Sequence, residues 1–393
     1  MGFLDVLKKQ NKQLTPESTG AAPISINTYT NATFDKSVLE MDTVLSSIDA
    51  IAKHVAKIKL QAVMKKGESV TIQDNTSDVA KVLKKPNKYM TPYDFLYKVT
   101  ALLLCSENCF IYPERDSDGN LLSLWPINYE QFQLVRSDSG TLFARFRLNY
   151  FKTYTCPYDE LIHLRQHWIK DDLMGSANDA LKPVCAIIEA QNNGIVAGIK
   201  NSAIIRGILK SAGVIKEADL RKARAQFVED NMAASNNGGV IVVDGKFDYK
   251  QIESKPYIVD ADTIKAVSDK VYSYFHVTKE FIQSDYTSEK YESVYKGVIE
   301  PLAILITQAL TAGLYTSRER GYGNEVIASM ENVKYQPMSV IVEVLKSTAQ
   351  LGLFTRDEYR EMLGYAPLGA EGGGNDIMIA VNNYQKEGNT QNE

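Results

Sequence analysis

Two cysteines and two histidines have a spacing that could hold a metal ion. Cys105 and Cys109 are four residues apart, as are His163 and His167, and a Cys2His2 set is typical of zinc sites. Pairs spaced by four on a helix or a strand point to roughly the same side. Structural zinc sites, however, hold paired cysteines on short backbone turns, which a helix end and a strand do not supply. The apolar neighbours favour buried thiols and strand histidines, so we predict no metal and no cofactor.

A glycine run near the C-terminus could bind phosphate. It lies in LGLFTRDEYREMLGYAPLGAEGGGND, residues 351–376. A phosphate-binding loop requires Gly-x4-Gly-Lys-Ser/Thr between a strand and a helix, whereas here no Lys-Ser/Thr follows and the run comes after a helix. Thr355 and Glu358 predict a capping box that starts a short helix, and Gly364 with Pro367 predicts its end. We therefore interpret the glycines as helix punctuation and a flexible loop.

The remaining sequence does not predict a catalytic centre. It has four histidines, no Gly-x-Ser-x-Gly elbow and no nucleotide-binding loop, so no catalytic residue is predicted. A formal net charge of -4 gives no global field that attracts nucleic acid. Basic residues cluster only locally, as in KVLKKPNK and LRKARAQF, where a solvated helix face is the simpler reading. The N-terminus lacks a signal-peptide pattern, and the most apolar segment is interrupted, so we expect no membrane.

The elements that would position functional side chains follow from periodicity. Helical spacing dominates up to Cys105, with Thr91 as an N-cap and Pro92 in the first turn. Alternating patterns after Asn108 predict an antiparallel β-rich part with a hairpin that turns at Asp118-Gly119. The sequence therefore predicts an α+β protein.

The second half of the chain returns to helices around a small module. Residues 202–256 predict a strand, a helix and a hairpin that pivots on Asp244-Gly245. A later helix carries one apolar stripe, formed by Ile264, Val267, Val271 and Tyr274. A polar break at 282–291 precedes a long helix, which should kink at its internal Pro301.

Six segments, in this order, resemble those of the tailed-phage portal proteins, the head-tail connectors of long-tailed phages. They are LKKPNKYMTPYDFLYKVTALLLCSENCFIY, SLWPINYEQFQLV, ELIHLR with DDLMGSANDALKPV, YFHVTKEFI, VIEPLAILITQAL, and the C-terminal stretch with its Gly-x-x-Thr-x-x-Glu-x-Arg pattern. The sequence departs from the family at several turns. Glu107 and His276 stand where the family has glycine, and Thr278 where it has proline, which puts the local turn geometry in question.

The resemblance implies a portal-like fold with a known order of parts. These are a flexible N-terminal arm at 1–35, a wing at 36–178, stem helices at 179–201 and 257–281, a clip at 202–256, a tunnel loop at 282–291, a kinked wing helix and return strand at 292–336, a helical crown at 337–376 and a flexible tail at 377–393.

The resemblance also implies a function without catalysis. A portal forms a ring, typically a dodecamer, at one capsid vertex of a virion assembled in the bacterial cytoplasm. Double-stranded DNA passes through it during packaging and ejection. Its partners are the terminase large subunit, a head-tail adaptor and the major capsid protein. The alternatives are another ring-forming head-tail connector component and a zinc-dependent nucleic-acid enzyme.

Residues can be assigned to these roles as expectations. In the clip, Arg221, Lys222, Arg224, Asp244 and Gly245 would dock the motor. In the tunnel loop, Tyr286, Ser288 and Lys290 would make weak, sequence-independent contact with DNA. The stripe Ile264, Val267, Val271 and Tyr274 would form a subunit interface, the alternative being that it packs within one subunit.

Overall fold

The computed structural model describes most of the chain between residues 41 and 377. The described residues are 41–67, 69–73, 77–137, 140–148, 152–169, 171–176, 178–202, 207–211, 213, 216–232, 247–251, 260–329, 346–348, 352–363 and 365–377. The predicted N-terminal arm, Asp244, Gly245, Gly364 and nearly all of the predicted tail lie outside them.

The described residues form eleven strands, eleven α-helices of four or more residues, one π-helical segment and one short 3-10 helix at Tyr158–Glu160. The helices are α1 Asp42–Val55, α2 Asp78–Lys84, α3 Pro92–Ser106, α4 Lys182–Ser202, α5 Glu217–Met232, α6 Ala261–Tyr274, α7 Lys279–Ile282, α8 Ser288–Val294, α9 Glu300–Leu314, α10 Ser317–Gly321 and α11 Arg356–Met362. The strands are β1 Lys59–Lys66, β2 Ser69–Ile72, β3 Asn108–Arg115, β4 Leu121–Pro126, β5 Gln131–Arg136, β6 Leu142–Leu148, β7 Lys152–Pro157, β8 Ile162–Arg165, β9 Gly207–Ser211, β10 Phe247–Gln251 and β11 Asn324–Ser329. The predicted α+β class is confirmed.

The strands form four small antiparallel sheets. Their orders are β11-β1-β2, β4-β3-β8, β5-β6-β7 and β10-β9. The predicted hairpin is confirmed, because β3 pairs with β4 around Gly119, whose φ is +87°. Asp116 stabilises this turn, since its carboxylate accepts hydrogen bonds from the backbone amides of Asp118 and Asn120.

Strand β3 separates two hydrophobic cores. Its first six residues are all buried, and alternate side chains point to opposite faces of a strand. Cys109 and Ile111 belong to the larger core, which the helices build, whereas Phe110 and Tyr112 belong to an aromatic core under β5-β6-β7. A strand buried on both faces reads as a continuous apolar run, which is what its sequence shows.

Helices α4 and α6 pack together. Their buried residues lie in the first turns of α4 and from the middle of α6 onward. In α4, Cys185 and Ile188 are buried, while every described residue from 191 to 199 is at least partly exposed. In α6, Val267 and Val271 are 6% and 0% exposed and pack into the larger core. These two valines therefore pack within one chain, which is the alternative considered for the stripe, and only Ile264 remains exposed for a neighbour.

The long helix accommodates its internal proline through a π-helical segment. Residues Tyr295–Ile299 are π-helical and join α8 to α9, so Ser288–Leu314 forms one continuous helix. Pro301 cannot donate to the carbonyl of Gly297, and its ring would crowd that carbonyl. The wider turn relieves this conflict, since the Glu300 amide bonds to Tyr295 five residues back.

This helix begins earlier than the sequence predicted. Its first residue is Ser288 instead of 292, so the predicted loop at 282–291 is helical at its end. By length and apolar composition it is the one helix of the described residues that could cross a membrane. Its apolar residues are used inside the protein, because Leu302, Ile306 and Leu310 are buried in the larger core.

The C-terminal glycine run folds back onto the start of α11. The predicted capping box of Thr355 and Glu358 is present. Asp357 accepts hydrogen bonds from the Leu368 and Gly369 amides at 2.6 and 3.0 Å, and its own amide donates to the Gly374 carbonyl at 2.9 Å. A Cβ at Gly374 would overlap the Asp357 carboxylate. The run is thus a hydrogen-bonded turn, and the prediction of a flexible loop was wrong for its described residues.

Replacing Asp357 by alanine should loosen this turn. Because the Leu368 and Gly369 amides lose a charged acceptor, their hydrogen exchange should accelerate by about tenfold. Hydrogen exchange followed by mass spectrometry measures the effect. Glu371→Ala, in the same turn, is the matched control because Glu371 is exposed, and equal acceleration in both variants would contradict the role given to Asp357.

Candidate functional site

Four aromatic rings pack together where the long helix begins. His54 of α1 lies 4.7 Å from Phe281, 5.4 Å from Tyr291 and 6.2 Å from Tyr286, measured between ring centroids. We call these four residues the aromatic cluster. Tyr286 also stacks on Phe281 and Tyr291 at 5.6 and 5.3 Å. The cluster fixes the start of α8 against α1 and α7.

The cluster changes the expectation for Tyr286. Its ring was predicted to face DNA, but the ring is partly buried and its stacking partners lie inside the protein. Stacking within the chain removes apolar ring surface from water, so turning the ring outward would cost that contact. A DNA contact at this segment would therefore use the other two predicted residues, Ser288 and Lys290.

Ser288 and Lys290 lie in the exposed first turn of α8. The Thr287 hydroxyl caps this turn by accepting from the Lys290 amide. Lys290 Nζ lies 3.7 Å from a Glu280 carboxylate oxygen, and Lys296 Nζ lies 2.7 Å from one of Glu292. Each ammonium therefore already has a carboxylate within ion-pair distance.

The charge of this surface is close to balanced. From Lys279 to Lys296 the chain carries three lysines and four carboxylates. Binding to DNA strengthens with the number of phosphates that a protein neutralises. A segment with this charge balance would bind a polyanion only weakly.

The predicted clip residues that can be described lie on helix α5. Arg221, Lys222 and Arg224 are exposed, and Arg221 pairs with Glu217 at 2.6 Å. None of the described side chains of α5 is buried. Among the described residues, the sheet formed by β9 and β10 has two strands, and two-stranded sheets are marginally stable alone. Both features leave this region with surface that a partner could cover.

A set of polar side chains around the buried Glu107 joins the β-rich part to the two packed helices, α4 and α6. We call this set the joint; its members are Glu107, His167, Tyr274, Asn178 and Asn108. The Glu107 carboxylate, 3% exposed, lies 3.0 Å from His167 Nδ1. The Tyr274 hydroxyl donates to Asn178 Oδ1 at 2.5 Å and reaches Glu107 Oε1 at 3.3 Å. Asn178 in turn donates to the carbonyls of Leu104 and Cys105. Tyr274, predicted as an interface residue, thus anchors α6 to its own chain.

This joint was missed by sequence reasoning, although one signal pointed to it. Glu107 stands where the resemblance implies a glycine and has the left-handed backbone that glycine favours, with φ at +58°, and His167 has φ at +48°. His276, where the resemblance implies another glycine, also has left-handed backbone, with φ at +54°. Non-glycine residues in this region cost backbone energy. Burial raises the pKa of Glu107, and the neighbouring His167 acts in the opposite direction by lowering it.

Asn108 holds the other side of the same joint. Its side chain is buried and makes four hydrogen bonds: Nδ2 donates to the Ser106 and Gly175 carbonyls, and Oδ1 accepts from the Gly175 amide and His163 Nε2. Since Asn108 Oδ1 is an acceptor, His163 must carry its proton on Nε2, and Nδ1 then accepts from the Tyr158 hydroxyl at 2.8 Å.

The four candidate zinc ligands are not arranged for metal binding. Both ring nitrogens of His163 are engaged with protein groups, and the ring stacks on Phe110 at 4.2 Å. Burial raises the pKa of Cys105 and Cys109 to about 12, which disfavours the thiolate that binds zinc. Within the described residues no group of three or more His, Cys, Asp or Glu side chains could hold a metal.

Two histidines should make the protein sensitive to acid. Burial lowers the pKa of His54 to about 4 and that of His163 to about 3, assisted by Lys57 and Arg165 respectively. Below pH 6.5 the unfolded chain binds protons that the folded chain does not, so stability falls as the pH drops from 6.5 toward these values. From pH 7 to 5 the loss should be about 2 kcal/mol for each histidine. Urea unfolding at both pH values measures it.

The matched variants for this prediction are His54→Phe and His276→Asn. The first removes a buried titrating ring and keeps an aromatic side chain, so it should remove about half of the difference between pH 7 and 5. The second changes an exposed ring and should leave the difference intact. An undiminished difference in His54→Phe would contradict the assignment.

Comparison with known families and structures gives consistent matches. A family model described as phage portal protein matches residues 42–364. A comparison with curated proteins gives no match.

Solved structures share the fold. A chain from the neck of an empty gene transfer agent particle, computed with C6 symmetry, is 17% identical with a TM-score of 0.62, and the alignment covers 89% of this chain and 97% of that one. A chain from the native neck, computed with C12 symmetry, is 18% identical with a TM-score of 0.60, over 89% and 98%. An HK97-family phage portal protein from Corynebacterium diphtheriae is 14% identical with a TM-score of 0.53, over 78% and 98%.

Proposed function

Since this chain belongs to the phage portal protein family, we propose that it forms a ring at one capsid vertex through which double-stranded DNA is packaged and ejected. The family match over residues 42–364 carries the proposal. The similarity in fold to a neck chain computed with C12 symmetry supports a dodecamer. The role is structural and uses no cofactor, so a separate terminase large subunit would supply the energy for packaging.

The polar start of α8 would face the DNA in this ring. It would contact DNA through Ser288 and Lys290, without sequence specificity. Its lysines have carboxylates nearby, so few counterions would be released and the duplex would slide instead of stalling. The aromatic cluster would hold the segment rigid beside the moving DNA.

Partner docking would use the region around α5 and the β9-β10 sheet. Its exposed helix, and a sheet in which the described residues form two strands, support strand addition between neighbouring subunits. The terminase large subunit and later a head-tail adaptor would bind there, through residues that include Arg221, Lys222 and Arg224. The major capsid protein would be the remaining partner, at the vertex that the ring occupies.

Negative-stain electron microscopy of the purified chain tests the ring directly. We expect rings with a central channel wide enough for duplex DNA. A protein that remains monomeric at every concentration would contradict the proposal. The DNA contact is tested separately by Lys290→Glu, which should impair packaging or retention of DNA, while rings of normal appearance show that assembly is intact.

A further inference from the structure

The β11-β1-β2 sheet is covered by a helix at its β11 edge. The Lys65 amide donates to the Gly323 carbonyl at 2.8 Å. Because hydrogen bonding alternates along an antiparallel ladder, the backbone of Val326, opposite Ala62, points away from β1. Its amide donates to the Thr311 hydroxyl of α9 at 2.9 Å, and its carbonyl lies 3.5 Å from the same hydroxyl. Helix α9 therefore caps this edge at Val326.

Strand β2 forms the opposite edge, and no strand of the described residues pairs with its outer side. The Gln73 amide donates to the Ala62 carbonyl at 2.9 Å. By the same alternation the Thr71 amide also points toward β1. The amides and carbonyls of Val70 and Ile72 therefore point outward. Backbone groups at such an edge are a template for a further strand.

The side chains of β2 lack the features that protect an exposed edge. Proteins commonly blunt such edges with lysine, proline or a bulge, but β2 reads Ser-Val-Thr-Ile, and all four residues are exposed. Val70 and Ile72 lie on one face of the strand and are 52% and 49% exposed. A further strand with apolar side chains on that face would remove both from water.

A stretch of this chain outside the described residues has the sequence of such a strand. Residues 24–30 read ISINTYT, without charge, proline or glycine. Isoleucine, threonine and tyrosine are all frequent in strands. Ile24 and Ile26 are two residues apart, so they would lie on one face of a strand, as Val70 and Ile72 do. The stretch therefore matches β2 in polarity and in the spacing of its apolar residues.

The tether between this stretch and the described residues is long enough for it to reach the sheet of its own chain. Residues 31–40 precede Met41 and can span about 33 Å when extended. Helix α1, which begins next to Met41, is about 21 Å long, and β1 begins after only residues 56–58. Strand β2 lies beside β1, about 4.8 Å away.

We propose that residues 24–30 add to the outer edge of β2 as a fourth strand of the β11-β1-β2 sheet. The outward amides and carbonyls of Val70 and Ile72 would gain partners, and Ile24 and Ile26 would cover their side chains. For these residues the proposal replaces the expectation of a flexible arm. It concerns docking within one chain, so it goes beyond the proposed ring and does not depend on it.

Hydrogen exchange of the full chain, resolved to single amides by mass spectrometry, tests the proposal. The Val70 and Ile72 amides should exchange at least about tenfold more slowly than in the unfolded chain. The variant I26P/N27P should accelerate both by about tenfold, because one of two adjacent amides faces the partner strand and proline has no amide hydrogen. The Thr71 amide, which points toward β1, should change by less than about threefold.

The matched control Q10P/N11P places two adjacent prolines outside the stretch and should leave these rates unchanged. Dilution should also leave them unchanged, because the added strand belongs to the same chain. The proposal is wrong if the Val70 and Ile72 amides exchange as in the unfolded chain, stay protected in I26P/N27P, or accelerate equally in the control. Protection that is lost on dilution would assign the strand to a second copy and would also overturn it. Since a monomer suffices for this measurement, failure here is distinct from failure of the ring.

Discussion

Replacing Gly323 by alanine is expected to lower the free energy of unfolding by about 3–5 kcal/mol. Gly323 joins α10 to β11 with φ at +88°, where a side chain strains the backbone. A Cβ at this position would also overlap the Lys65 carbonyl oxygen, which is backbone and cannot rotate away. Its own carbonyl accepts from the Lys65 amide at 2.8 Å, so relieving the overlap would break the β1-β11 pairing. Urea unfolding at fixed protein concentration measures the loss.

Gly119→Ala separates the two causes. Gly119 has nearly the same φ, +87°, but a Cβ there would meet nothing within 4 Å. Its cost should therefore be the backbone strain alone, about 1 kcal/mol. If both variants lost the same stability, the overlap of a Cβ at position 323 with the Lys65 carbonyl would not contribute to the free energy of unfolding. The expectation for Gly323 would then be wrong.

Features that depend on neighbouring residues in the chain could be predicted from the sequence. The capping box of Thr355 and Glu358 and the hairpin at Asp118-Gly119 are confirmed, because each is decided by side chains within a few residues. The order of six short segments was sufficient to identify the family, since the order of elements is preserved where individual positions vary.

The surroundings of the candidate site could not be predicted in the same way. An apolar stripe shows that a helix face is covered, but not by what, and Val267 and Val271 are covered by their own chain. Tyr286 was assigned to DNA because its neighbours are polar, yet its ring contacts include an edge-on contact with His54, far away in the sequence. Long-range packing decides both cases.

The joint at Glu107 shows why local rules fail at functional or strained positions. A single sequence does not indicate that a glutamate will occupy left-handed backbone, because glycine adopts this conformation at the lowest energetic cost. The side chain offsets the strain through His167 and Tyr274, which are distant in sequence. A departure from a family glycine is therefore a reason to look for new partners of the replacing side chain, as well as for a changed turn.

Replacing Asn108 by leucine should be as damaging as the change at Gly323, for a different reason. The leucine side chain has a similar size but leaves the Gly175 amide and His163 Nε2 buried without their acceptor, and the Ser106 and Gly175 carbonyls without their donor. Each buried polar group left unpaired costs about 1–3 kcal/mol, so the total should reach about 3–5 kcal/mol. Urea unfolding measures the loss, and Asn192→Leu, at an exposed position of α4, should cost less than about 0.5 kcal/mol.

The same variant shows whether the joint transmits order to α4 and α6. Gly175 precedes α4 and packs so closely on the Glu107 and Gln166 carbonyls that a Cβ would overlap both. Without the Asn108 side chain, the Gly175 amide should exchange hydrogen at least tenfold faster. Protection against exchange should fall at the start of α4 as well. If exchange rose only within β3 while Gly175 and α4 stayed protected, Asn108 would stabilise the sheet without holding the helices. In the proposed ring, with α4 and α6 as the predicted stem helices, such a loss of order would change the angle at which each subunit holds them.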